Sequence, residues 1–307
     1  MGIQVIHLVM GKANPDRMNG VNKVVHALAT EQAAQGHNVR IWGITRTPDA
    51  PVKERAVPTR LFRDRGKFRL DAGLIRAFDE VAATDTVFHI HGGFIPQLSL
   101  CARQLGKRAL SYIYTPHGAH NTVALQRSAF KKRVYIPLFE RYLVHNASRL
   151  HFIGRSEVEG SRAVFGERPH ALIPNGQMLP AQRPAGMDRA RNEFPVFGTM
   201  GRLDLHTKGL DLLFAGFAGF LRQHRGNGQL WLVGDGPDRE RLERLAQDLH
   251  IQEHVTFWGG RYGTEKDTIM ASMDLFCLTS RNEGLPGVVL EAAALEVPCL
   301  VSTETNM

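Results

Sequence analysis

Val196-Phe197-Gly198-Thr199-Met200-Gly201-Arg202-Leu203-Asp204, with Lys208-Gly209 just beyond, reads as a short apolar strand that ends in a glycine turn and feeds a helix. Apolar residues then recur with helical spacing from Gly209 to Leu221, and Gln229 to Val233 is again an apolar run of strand length. This is a β-α-β unit, and its pattern continues. Asp238 to Leu249 predicts a helix, Val255 to Trp258 a strand, Lys266 to Met273 a helix and Leu275 to Leu278 a strand. Gly287 to Leu295 predicts a last helix and Cys299 to Val301 a last strand. Continuous apolar runs, rather than alternating ones, belong to parallel strands covered on both faces.

Working back toward the amino terminus, Pro174, Pro180, Pro184 and Pro195 interrupt any long element, so residues 179–194 are expected to be a linker. Residues 1–178 then form one domain and residues 195–307 another. The first repeats the same grammar: a strand over Ile3 to Val9, a loop with Gly11, Pro15 and Gly20, a helix from Val21 to Ala34 stopped by Gly36, and a strand over Val39 to Ile44. Thr86 to His91, Leu110 to Thr115 and Arg149 to Ile153 predict further strands. The expected class is α/β, with two facing Rossmann-like domains whose ligands sit at the carboxyl ends of the strands. The chain ends just after an apolar strand without a covering helix, and the second domain is therefore expected to be truncated.

Composition narrows the function. With 307 residues, 43% apolar, 22% charged, 30 Gly and 15 Pro, the chain is not disordered, collagen-like or a coiled coil. No apolar run approaches the ~20 residues a membrane span needs, and no signal pattern opens the chain, so a cytoplasmic location is expected. Cys101, Cys277 and Cys299 make neither a disulfide framework nor a four-cysteine zinc site. Residues 1–180 hold 25 Lys and Arg against 13 Asp and Glu, a net +12, whereas residues 181–307 carry a net −4. The first half is thus suited to something anionic: nucleic acid, anionic lipid or a phosphorylated substrate.

Three motifs in the second half carry chemistry. Arg202 and Lys208 would meet at a strand end beside a helix mouth, which suits a diphosphate, although two solvated loop cations would look the same. Gly234 and Gly236 in Leu232-Val233-Gly234-Asp235-Gly236-Pro237 let backbone approach a flat ligand, or simply make a tight turn. Glu283-Gly284-Leu285-Pro286-Gly287 places Glu283 in a loop and Glu291 one turn inside the next helix. Free amides there would face phosphate oxygens while both carboxylates accept hydroxyl hydrogen bonds; helix capping plus a surface glutamate is the plainer alternative.

Taken together, these three motifs, in this order, resemble the retaining glycosyltransferases of family 4, which have the GT-B fold. Asn19-Gly20-Val21, His89-Ile90-His91-Gly92, Thr115-Pro116-His117-Gly118 and Ile173-Pro174-Asn175-Gly176 agree more loosely in the first half. The resemblance implies a nucleotide-sugar donor linked to UDP, GDP or ADP, a glycan or lipid-linked acceptor, and no cofactor. It places backbone amides near Gly20 and Gly201 against the donor diphosphate and Arg202 and Lys208 as its clamp. Glu291 would hold the nucleotide ribose, Glu283 with Leu285, Pro286 and Gly287 the sugar hydroxyls and phosphate, Gly234 and Gly236 the base, and His117 the sugar near its reacting carbon. Asn19-Gly20 stands where many members have paired glycines.

No Asp-x-Asp pair occurs in the sequence, so fixed cations and a helix dipole are expected to neutralise the leaving group, with no metal, retention of configuration and attack from the leaving-group face. His89, His91, His117 and His120 are an alternative metal set, lacking an acidic or cysteine partner at a recognisable spacing. A nicotinamide-dependent oxidoreductase would need Gly-x-Gly-x-x-Gly after Val9, which is absent. No helix-turn-helix, zinc-finger or aromatic RNA-binding signature supports nucleic acid. Phe130-Lys131-Lys132-Arg133-Val134 with Leu138-Phe139 and Arg141-Tyr142-Leu143 mixes cations with bulky apolar residues. That stretch suits the anionic inner face of a cell membrane, or else an ordinary helix packed on the sheet, with Pro137 breaking its regularity.

Overall fold

Strand β1 (Gln4–Met10) is an interior strand of a seven-stranded, wholly parallel sheet. The computed structural model describes residues 3–13, 20–49, 56–126, 129–176, 193–281, 283 and 285–305. The chain divides into two compact units, Met1–Gly176 and Gln177–Met307. Of the expected linker, only Glu193 and Phe194 are among the described residues; Asn19 and Gly284 lie outside them.

The first unit runs β1, α1 (Gly20–Ala34), β2 (Asn38–Thr45), β3 (Thr59–Arg63), α2 (Ala72–Asp79), β4 (Thr86–His91), α3 (Pro96–Lys107) and β5 (Ser111–Thr115). It continues with α4 (Thr122–Gln126), α5 (Ala129–Tyr135), a π turn at Ile136–Glu140, α6 (Arg141–His145), β6 (Arg149–Phe152), α7 (Arg155–Phe165) and β7 (His170–Leu172). The sheet order β3-β2-β1-β4-β5-β6-β7 reverses direction between β1 and β4, the position at which doubly wound sheets open a crevice. Side chains alternate across β1 and β4. Ile6, Leu8, Phe88 and Ile90 join Trp42, Phe62 and Phe78 in an aromatic core, where Trp42 meets Phe62 and Phe88 edge-on at 5.4 Å. Such contacts add ~0.5–1.5 kcal/mol each beyond area burial. The opposite face of the same two strands carries His7, His89 and His91, all buried. Pro137 falls inside the π turn, so the cationic stretch is a helix with a widened turn rather than a regular one.

The second unit is β8 (Val196–Met200), α8 (Leu210–Gln223), β9 (Gln229–Val233), α9 (Arg239–Asp248), β10 (Val255–Gly259), α10 (Gly263–Ala271), β11 (Leu275–Leu278), α11 (Gly287–Ala294) and β12 (Cys299–Val301). Its five strands are parallel in the order β10-β9-β8-β11-β12, which turns at β8. Leu213, Phe214, Phe217, Leu230, Leu232 and Leu242 pack one face; Val233, Met270, Met273, Phe276 and Ala292 pack the other. Among the described residues, no helix is long and apolar enough to cross a membrane.

Candidate functional site

In the second unit, three loops leave the carboxyl ends of β8, β9 and β11 and are knitted together by backbone contact. Gly201 follows β8 and Gly234 follows β9; a Cβ on Gly234 would stand 1.8 Å from the Gly201 carbonyl oxygen. One on Gly236 would stand 2.3 Å from the Leu203 carbonyl oxygen. These two glycines therefore let the β9 loop lie against the β8 loop. The sequence had offered two reasons for glycine here, and the contacts found are those of loop packing. On the other flank, Gly209 caps α8 with φ +59° and would, given a Cβ, meet the Thr279 carbonyl oxygen at 1.9 Å. Thr279 Oγ1 donates to the Gly209 carbonyl at 2.8 Å. Arg281 completes the tie with two 2.7 Å bonds to Asp211, and its guanidinium holds that carboxyl below the usual range.

The charged side chains stand on this frame. Lys208 Nζ donates to Glu283 Oε1 at 2.5 Å, and Ser280 Oγ donates to the same oxygen at 2.8 Å. Residues 75 positions apart in the chain are thus brought together at the mouth of α11. Pro286, at the N-cap of that helix, is buried and provides no side-chain cap; Leu285 precedes it half-buried. Gly287 opens α11 with nothing within 4 Å of where its Cβ would be, and Gly201 is equally open. Helix-start amides and a lysine in open surroundings suit an anion. Arg202 is exposed, and among the described residues no side chain pairs with it. Glu291, one turn into α11, holds Lys266 Nζ at 2.9 Å. Burial works against the Lys266 ammonium, but the Glu291 and Asp267 carboxylates outweigh it and raise its pKa. Sequence reading missed Lys266 and Arg281, since nothing local marks either as a partner.

The first unit brings a different set together. His7 Nδ1 lies 2.9 Å from His91 Nε2, and His91 Nδ1 lies 2.9 Å from His117 Nε2. His89 Nε2 shares a 2.7 Å hydrogen bond with Thr115 Oγ1, and His7 Nε2 lies 2.7 Å from Gln32 Oε1 on α1. Burial drives the pKa of His7 down to about 4 and of His117 to about 3, and holds His89 and His91 well below the ordinary value. The four-histidine set weighed as an alternative from sequence differs from the observed cluster in two ways. His120 belongs to a separate buried cluster, its Nε2 2.9 Å from Glu140 Oε1, which also receives the Tyr114 hydroxyl at 2.5 Å. His7 takes its place: ligand nitrogens of His7, His89 and His91 lie within 4.8 Å of one another. That spacing suits a metal, and five of the six ring nitrogens hydrogen-bond to one another, to Gln32, to His117 or to Thr115.

His117 itself has φ +53°, a left-handed conformation that costs about 1–3 kcal/mol in a residue with a Cβ. Glu157 on α7 holds the adjoining loop, accepting from the Gly118 amide at 2.6 Å and the Ile153 amide at 3.2 Å. Gly20 proves to be the first residue of α1 rather than a loop residue; it is exposed, with nothing near its Cβ position.

Two family patterns match this chain. "Glycosyl transferase 4-like domain" covers residues 19–176, just over half of it, and "Glycosyl transferases group 1" covers residues 188–307. The chain belongs to this glycosyltransferase family. Among curated relatives, the lipopolysaccharide core biosynthesis glycosyltransferase LpsE of Rhizobium meliloti (strain 1021) is 34% identical over 128 residues, 40% of this chain and 35% of LpsE. The matched segments take in half or less of the length of these curated relatives. The fold of sucrose-phosphate synthase from Thermosynechococcus elongatus superposes with a TM-score of 0.78 at 21% identity, covering 98% of this chain and 81% of that one. Anabaena HepE in complex with UDP gives 0.73 at 16% identity, covering 99% and 82%. The chain therefore has the GT-B fold that the resemblance implied. Its least legible site residues were His7 and Gln32. The one available signal was the histidines inside two largely apolar strand runs, His7 in one and His89 and His91 in the other, and only the β1–β4 register, His7 opposite His89, shows that they meet.

Proposed function

We propose that this glycosyltransferase moves a sugar from a nucleotide-sugar donor to a glycan or lipid-linked acceptor in polysaccharide or glycoconjugate assembly, with retention and without a metal. The observation that carries the reading is the Lys208–Glu283 pair at the uncapped mouth of α11, with Arg202 exposed on the β8 loop of the same unit. The bond between the sugar's anomeric carbon and the diphosphate breaks as negative charge grows on the leaving group. Lys208 and the first amides of α11 are held in place before that charge appears, and the exposed Arg202 can close on it as it grows, so these groups favour the transition state over the bound donor. Glu283 exchanges its lysine for sugar hydroxyls, Glu291 accepts from the ribose, and His117 meets the transferred sugar. The acceptor hydroxyl attacks from the face the diphosphate leaves and gives its proton to the departing phosphate oxygen. LpsE, named for lipopolysaccharide core biosynthesis, supports the acceptor class, and the UDP complex of HepE supports a nucleoside diphosphate as the donor's leaving group.

Calorimetric titration with UDP, GDP and ADP in excess EDTA tests the reading. One of the three is expected to bind in the micromolar range and to lose affinity in Lys208→Ala. Binding that requires a restored divalent cation removes the metal-free mechanism; no binding of any of the three removes the donor assignment.

The acceptor side adds a membrane. On α5 and the following π turn, Phe130, Val134 and Leu138 are 81%, 57% and 56% exposed at i, i+4 and i+8, flanked by exposed Lys131, Arg133 and Arg141. Apolar side chains on one stripe with cations beside it suit an anionic bilayer surface. Vesicles with 30 mol% phosphatidylglycerol are expected to float the protein at low salt and those of phosphatidylcholine alone are not. Equal flotation, or none, counts against the membrane part alone.

A further inference from the structure

Gln32, His7, His91 and His117 form a single file of hydrogen bonds across the histidine-bearing face of the first sheet. The links are Gln32 Oε1 to His7 Nε2 at 2.7 Å, His7 Nδ1 to His91 Nε2 at 2.9 Å, and His91 Nδ1 to His117 Nε2 at 2.9 Å. A neutral imidazole has one N–H and one lone pair, and an amide oxygen can only accept. The direction of every link then follows from the Gln32 end. His7 Nε2–H donates to the Gln32 oxygen, which leaves His7 Nδ1 bare. A bare Nδ1 can only accept, so His91 Nε2–H donates to it and His91 Nδ1 is bare in turn. His117 Nε2–H must then donate to His91, and the His117 proton cannot reside on Nδ1.

Each ring is held neutral by burial, as the file requires. His7 and His91 are fully enclosed, whereas His117 is half-buried, so the file begins on α1 and reaches outward at His117. The other groups on this face, His89 and Thr115, bond to one another, and His151 stands 5.6 Å from the His89 ring with its Nε2 at the Ile173 carbonyl. None of these interrupts the file.

We propose that Gln32, His7 and His91 are positioning residues that fix the tautomer of His117, so that its ring offers Nδ1 as a hydrogen-bond acceptor to a hydroxyl-bearing ligand. This rests on the function proposed above only in naming that ligand as a sugar. A ring locked with a lone pair outward accepts from a sugar hydroxyl and rejects a partner that brings only an acceptor there. A ring free to exchange tautomers makes no such distinction, and it must give up that freedom on binding.

Long-range proton–nitrogen correlation spectra of the full chain labelled with 15N-histidine at pH 7.5 read the tautomer directly, with His117→Gln identifying the His117 signals. The expected wild-type result is a single Nε2–H tautomer, its two ring nitrogens widely separated in shift. Gln32→Leu removes the fixed acceptor, and the His117 nitrogens are expected to move toward each other as both tautomers populate. Thr115→Val breaks the His89 bond on the same face and is expected to leave His117 unchanged. His117 protonated on Nδ1 in the wild type overturns the proposal, as does an unchanged signal in folded Gln32→Leu. Ring nitrogens shifted by a stoichiometric metal overturn it too. The wild-type spectrum decides even if a variant does not fold. No donor is needed, so a His117 locked on Nε2–H in a protein that binds no nucleotide would uphold this inference and sink the proposed function.

Discussion

Lys208→Ala is expected to slow the release of nucleoside diphosphate from UDP-glucose, used as a donor probe, by about a hundred- to a thousandfold, with the melting temperature nearly unchanged. Losing one preorganised group aimed at charge that develops in a transition state typically costs ~2.7–4 kcal/mol. The stability side is small for a separate reason. The Lys208–Glu283 pair is partly exposed, at 25% and 16% for the two side chains, and such pairs contribute about 1 kcal/mol or less. Ser280, fully buried, still donates to Glu283 after the lysine is gone, so the carboxylate is not left without a partner. Arg202→Ala should behave alike in rate and cost even less stability, because the exposed Arg202 side chain is not used to hold the loop. Glu283→Gln separates the roles: Lys208 is released, so UDP should bind at least as tightly while turnover falls. Product formation from UDP-glucose is followed by coupled detection of UDP, with unfolding followed by circular dichroism. Full activity in both cation variants would show that the diphosphate is held elsewhere.

That separation of effects reflects what a linear sequence can encode. The strands of the second unit were legible because they are short, largely apolar runs, two of them closed at once by Gly201 and Gly234, and the observed β8, β9 and β11 begin and end where those runs do. In the first unit, β3 and β7 escaped notice. Thr59-Arg60-Leu61-Phe62-Arg63 alternates with charge, and His170–Leu172 is only three residues long, and both are edge strands that need no two-sided burial. The candidate site was legible where its residues lie close in sequence, as in Gly201-Arg202 or Pro286-Gly287. It was not legible where chemistry depends on register or on a helix docking across a strand. Lys266 meets Glu291 from a neighbouring helix, and Gln32 reaches His7 from α1. His120 shows the converse error: three residues past His117, it points into the Tyr114–Glu140 cluster instead.

Acidification is expected to unfold the first unit well before ordinary carboxylates titrate. The sign follows from linkage. His7 has a folded pKa of about 4 against 6.5 in an unfolded chain, so the unfolded state takes up protons first as pH falls. Its contribution is intact above pH 6.5 and is lost progressively between 6.5 and about 4. At ~1.4 kcal/mol per unit, this amounts to about 3 kcal/mol for His7 alone at pH 4, a large share of a typical domain stability of ~5–15 kcal/mol. His89, His91 and His117, and to a smaller extent the half-buried His151, shift in the same direction, while Gln32 supplies no charge to offset them. Glu157 has the opposite sign: burial raises its pKa, so protonation relieves rather than adds strain as pH falls. Asp71 and Asp79, held low by Arg65 and Arg108 respectively, lose their contributions only in more acid solution. Trp42 lies in the first unit's core and Trp231 and Trp258 in the second unit. Urea unfolding followed by Trp42 fluorescence in a Trp231→Phe, Trp258→Phe background therefore reports on the first unit alone. A midpoint that falls steeply from pH 7 to 4.5, and less steeply in His7→Leu, is the expected result. A midpoint flat over that range would mean that the rings accept protons where they lie, with no burial penalty on charging them.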